Sequence, residues 1–84
     1  MARAADDDAP TGVHCRLDEL LADRAMTLTR LSELVGVSIV NLSVLKNDRA
    51  RAIRFSTLVA ICQALDCEIG ELLVRTDRLA PPVR

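Results

Sequence analysis

Four cations crowd the middle of the chain: Lys46, Arg49, Arg51 and Arg54. Only Asp48 opposes them between residues 38 and 65, which gives that stretch net +3. Residues 1–37 hold four basic and seven acidic groups, net −3, and residues 66–84 hold three and four, net −1. A basic centre in an acidic chain is the footprint of a local phosphate-binding surface; its bland alternative is a solvated arginine loop. Asp18, Glu19, Asp23 and Glu33 carry the functional group of acid–base catalysis, but no nucleophile or metal ligand accompanies them, so they read as a solvated helix face. His14 is the sole histidine and is expected at the surface. Cys15, Cys62 and Cys67 show no CxxC or CxxH spacing, so no metal site is expected. Their odd number, without a secretory signal, reads as reduced thiols in a cytoplasm.

The elements that must position these groups are helical. Half of the 84 residues are hydrophobic, dominated by Leu and Ala, and Phe55 is the single aromatic. Three glycines and three prolines are too few for a turn-rich β chain. Length and composition therefore predict one small all-α domain and argue against an enzyme, since so few residues rarely provide both a pocket and a fold; no cofactor is implied. No apolar run approaches the ~20 residues of a membrane span. Residues 1–12 mix Ala, Asp, Pro and Gly and read as a disordered lead; residues 76–84, with Pro81 and Pro82, read as a flexible tail.

The folded part is then 13–75, and its periodicity predicts five helices. Helix one spans 13–25, with Val13, Leu17, Leu20 and Leu21 on its apolar face. Helix two spans 28–35 behind an N-cap at Thr27, and Gly36 ends it. Helix three spans 39–47 behind Ser38. Two short helices joined by a glycine turn form a helix-turn-helix. Helix four starts at an N-cap, Ser56, beside a buried Phe55, and carries Leu58, Ile61, Cys62 and Leu65 inward. Helix five spans 69–75.

On a wheel of helix three, Leu42 and Leu45 fall within about 60° of each other with Ser38 between them, and mark the core side. Val40, Ser43, Val44 and Asn47 share the opposite side. In sequence, TLTRLSELVGVS (27–38), NLS (41–43) and LKN (45–47) resemble the Cro/C1-type (XRE-like) helix-turn-helix family. AIRFSTL (52–58), AIC (60–62), ALDC (64–67) and GELL (70–73) resemble a bacterial branch of small transcriptional regulators within it. The resemblance covers about 13–74.

That resemblance implies a compact five-helix bundle of the lambda-repressor-like type, with helix two across the DNA backbone and helix three in the major groove. It implies base-facing roles for Ile39, Val40, Ser43, Val44 and Asn47. Phosphate roles fall to Thr27, Thr29 and Arg30 at the start of helix two, Ser38 and Asn41 at the start of helix three, and Lys46, Arg49, Arg51 and Arg54 around the loop. Helix N-termini favour anions. The chain departs from better-known members by placing aliphatics at 39, 40 and 44, which can touch a thymine methyl but cannot read purine edges. Recognition then leans on phosphates, DNA shape and methyl groups; the alternative occupant of this face is a protein partner, as in an antitoxin-like module. Asp48 stands where many members have glycine and must hold a left-handed turn. Ser32 replaces a common alanine, with its hydroxyl expected to bond back within the helix. A homodimer is one arrangement open to the chain, with Leu73, Val74 and Leu79 near helix five as its contact.

Overall fold

The computed structural model describes residues 11–76. Most of the acidic lead and most of the tail, Leu79 included, lie outside the described residues. The order is β1 (Val13–Cys15), α1 (Leu17–Asp23), α2 (Leu28–Val35), α3 (Ile39–Lys46), α4 (Phe55–Leu65), α5 (Ile69–Leu72) and β2 (Leu73–Arg75). The five expected helices are present among the described residues, but the all-α expectation needs a correction: a two-stranded sheet joins the domain's two ends. β1 and β2 pair antiparallel, with His14 opposite Val74 and Cys15 opposite Leu73.

The sheet shortens two expected helices. Helix one does not start at Val13, which is exposed; the chain is extended through Cys15, and α1 begins at Leu17 behind Arg16. The Arg16 N–H donates to the Leu72 carbonyl at 2.7 Å, so the strand-to-helix junction is tied to α5. Helix one also stops early, at Asp23, because Ala25 turns into positive φ (52°). There the Arg24 guanidinium crosses to α4 and donates to the carbonyls of Leu65 and Asp66, which occupies backbone acceptors left open at that helix end. Helix five, expected through Arg75, is a single turn closed by a capping box between Glu68 and Glu71. The chain then extends at Leu73 (φ −118°, ψ 125°) to meet β1.

Helix four corrects two further expectations. Its N-cap is Arg54, not Ser56, and no side chain caps it. Phe55 is not buried: it opens the first turn, ahead of the first buried position, Leu58, and is 83% exposed. The core is instead aliphatic. Leu17, Leu20 and Leu21 of α1, Leu31 of α2, Leu42 and Leu45 of α3, Leu58, Ile61, Cys62 and Leu65 of α4, and Leu72 of α5 close on one another with Cys15 of β1. No buried side-chain polar atom among the described residues lacks a partner.

His14 and Asp48 latch the sheet to the turn after α3. Asp48 is left-handed (φ 63°), as its position requires. Its carboxylate accepts the Cys15 N–H at 2.7 Å and lies 2.8 Å from His14 Nδ1. Glu19 sits 3.5 Å from His14 Nε2. The Asp48 hydrogen bond raises the His14 pKa against the opposing effect of partial burial, with help from the charges of Asp48 and Glu19. Partial burial works to raise the Asp48 carboxyl, but the Cys15 N–H and His14 outweigh it and hold it low. The histidine's contribution is complete below its ordinary value of 6.5 and is lost as pH rises through the raised folded value. The aspartate's is complete above 3.8 and is lost as pH falls through the lowered folded value. Thermal stability should therefore peak between those limits. His14→Gln should remove most of the decline on the alkaline side and leave part of the acid decline, since Cys15 still holds Asp48. Melting curves from pH 3 to 9 on both proteins check this; an unchanged alkaline decline in the variant would assign it to another group.

Candidate nucleic-acid interface

The chain bends by 117° between α2 and α3, within the range of helix-turn-helix units. Three local interactions fix the two helices and the turn between them. Thr27 caps α2, its hydroxyl accepting the Arg30 N–H at 3.0 Å. Gly36 ends α2 in the left-handed conformation (φ 72°) that a Cβ would penalise. Ser38 caps α3 by accepting the Asn41 N–H at 3.1 Å. A fourth was missed in the sequence: the Ser32 hydroxyl does not bond back within its helix but donates forward to the Val37 carbonyl at 2.6 Å, fastening the turn.

Leu42 and Leu45 pack inward from α3, as the wheel requires. The opposite side is open: Val40 is 71% exposed, and Ile39 and Val44 are exposed as well. Ile39, Val40, Ser43, Val44 and Asn47 line one shallow concavity, and Arg49 closes its rim. All five expected base-facing residues thus share one surface with a guanidinium beside them.

The expected phosphate-binding residues divide. Ser38, Asn41 and Arg54 line a second hollow with Thr57, which the sequence did not single out. Here a helix N-terminus and a cation face one space, and the free N–H groups of the helix favour an anion. Thr27, Thr29 and Arg30 are exposed at the start of α2, with Arg30 paired to Glu33 at 3.3 Å. Lys46 turns toward α1, its Nζ 3.5 Å from Asp18, and lies outside both hollows. Arg51 lines a third hollow with Thr11, Val13 and Asp48, on the sheet side of the loop. Arg51 and Arg54, three residues apart, therefore occupy different hollows, although both were expected beside helix three.

Among the described residues no group of three or more His, Cys, Asp or Glu side chains could hold a metal, and no single helix is long and apolar enough to cross a membrane. The sequence matches the Cro/C1-type HTH DNA-binding domain over residues 16–78. It is 56% identical over 57 residues to the uncharacterized HTH-type transcriptional regulator YozG of Bacillus subtilis (strain 168), an alignment covering 68% of each chain. No solved structure matched.

Proposed function

The chain belongs to the Cro/C1-type HTH DNA-binding domain family, and on that premise we propose that it is a transcriptional regulator whose α3 enters the major groove of a specific duplex site. The observation that carries this reading is the open side of α3. Its five outward residues form one surface, with Arg49 at the rim and the Ser38–Asn41–Arg54 hollow at the helix start. In the groove, Val40 and Val44 would meet thymine methyls, and Ser43 and Asn47 would supply the hydrogen bonds to base edges. Arg49 and Arg54 would hold phosphates on either side, with Arg51 and the first turn of α2 extending that contact. The DNA-binding unit is 13–75, and the sheet closes it. Selection of bound duplexes from a random pool tests the reading: one recovered motif supports it, and recovery of no duplex would overturn it. A palindromic motif would indicate two copies per site.

The roles separate by mutation. Phosphate contacts fix register and carry no direct sequence information. Arg54→Ala should lower affinity for selected and random duplexes by similar factors and reduce the salt slope by about 1. Ser43→Ala or Asn47→Ala should relax preference at one base position and leave the slope nearly unchanged. Parallel binding curves over a salt series distinguish the two; an Arg54→Ala protein that bound random DNA normally but lost one base preference would invert the assignment.

A further inference from the structure

Cys62 and Cys67 stand outside both DNA-facing hollows and meet where α4 ends. Asp66 is left-handed there (φ 52°, ψ 57°). The Cys67 N–H donates to the Cys62 carbonyl at 3.0 Å, and the Asp66 N–H to the Gln63 carbonyl at 3.3 Å. This pair of bonds is a Schellman ending, which commonly sets the side chain after the turn against one in the last helical turn. Two apolar side chains usually make that contact. Here both of those positions are cysteines, so the helix ending brings two thiols together. Cys62 is buried and Cys67 half-buried. Both line a solvent-open cleft of about 260 Å³ with Val59, Gln63, Asp66 and Glu68, so a small oxidant reaches the pair without unfolding the domain. Cys15, in β1, does not line that cleft.

We propose that Cys62 and Cys67 form a reversible intramolecular disulfide when the protein meets a hydroperoxide. The more accessible Cys67 sulfur attacks a peroxide oxygen; the O–O bond breaks, Cys67 becomes a sulfenic acid, and the rest of the oxidant leaves as an alcohol, or as water from hydrogen peroxide. The Cys62 sulfur then attacks the sulfenic sulfur. An S–S bond forms, the S–O bond breaks, and the departing hydroxide takes the Cys62 proton to leave as water. The two thiols lose two electrons and two protons in all, and the peroxide accepts them. Burial first, then the neighbouring Cys67, pushes the Cys62 thiol up to about 11, which suits it to the second step, against an activated sulfur held beside it, better than to the first. A dithiol reductant reverses the bond by exchange.

The bond closes a ring over residues 62–67 and pins the junction of α4 with α5. The open side of α3 is untouched, so the oxidised protein should melt higher, by roughly 5–15 °C from loop closure, and bind the same duplex with unchanged affinity. The full chain is treated with hydrogen peroxide, its remaining thiols are alkylated in denaturant, and it is digested with trypsin. Residues 55–75 form one tryptic peptide containing both cysteines. That peptide should be lighter by two hydrogens and unalkylated, and should return to the dithiol form with dithiothreitol. Cys67→Ser should abolish the change and Cys15→Ser should not. The proposal is overturned if the peptide keeps two alkylatable thiols or gains only oxygen atoms while the treated protein stays folded. It is equally overturned if Cys15→Ser abolishes the bridge.

Discussion

Raising salt from 50 to 200 mM should weaken duplex binding roughly 150-fold, because about four phosphate contacts per subunit give a log–log slope near −3.6. The cations proposed for phosphate contact are Arg30, Arg49, Arg51 and Arg54, three of them in the one stretch of the chain with net positive charge. The protein as a whole carries net −1, so long-range attraction to DNA is weak and the effect must come from local neutralisation. Retardation assays across a salt series measure the slope directly. Two copies on one site would double it, and Lys46→Ala should leave it nearly unaltered, since that side chain is half-buried against Asp18 of α1, whereas Arg30, paired within its own helix, stays exposed. A slope near zero would mean that the loop makes no phosphate contact. Absence of binding at low salt would return the aliphatic side of α3 to a protein partner.

Leu42→Ala should cost about 2–5 kcal/mol of stability and lower Tm by at least about 10 °C. Leu42 is fully enclosed among the helices, and truncation leaves a cavity that neighbouring leucines cannot fill without moving. Two residues before it on the same helix, Val40 lies largely in solvent; Val40→Ser should change stability by less than about 0.5 kcal/mol. The order reverses in DNA binding. Val40→Ser, and Val44→Ser beside it, should weaken selected sites more than random duplex if methyl groups lie beneath them. Leu42→Ala should weaken both in proportion to the protein that remains folded. Thermal melts with paired binding curves separate the two sides of α3. A large loss of stability in Val40→Ser would mean that this side is covered, by a second copy or a partner.

What could be read from the sequence follows the range of the forces involved. Thr27, Gly36 and Ser38 act within a few residues of themselves, so the ends of α2 and the start of α3 are legible from residue type alone. Leu42 and Leu45 are legible because one helical period fixes their side. The sheet is not, because Cys15 meets Leu73 across most of the chain and three-residue strands carry no periodicity. His14 likewise finds its partner at Asp48, 34 residues away. Phe55 misled because an aromatic at the head of an apolar stripe reads as core, whereas the helix starts before the core does. Within the candidate site the base-facing group comes from helical geometry, while the division between Arg51 and Arg54 belongs to an irregular loop. Ser32 had the right chemistry and the wrong direction: its hydroxyl was legible as a local donor, but only the turn supplied the Val37 carbonyl.

The pairing of β1 with β2 also imposes an order in time. During synthesis the chain emerges from its N-terminus, and α2 and α3 exist well before Leu73–Arg75 is made. Contacts between neighbours in sequence close at little entropic cost, whereas the sheet must close nearly the whole domain into a loop. On a ribosome, the DNA-reading helices can therefore assemble while β1 still has no strand to pair with. Closure of the domain waits on Leu73–Arg75, and a chain that stopped short of that strand would hold its helices without the clasp that joins them.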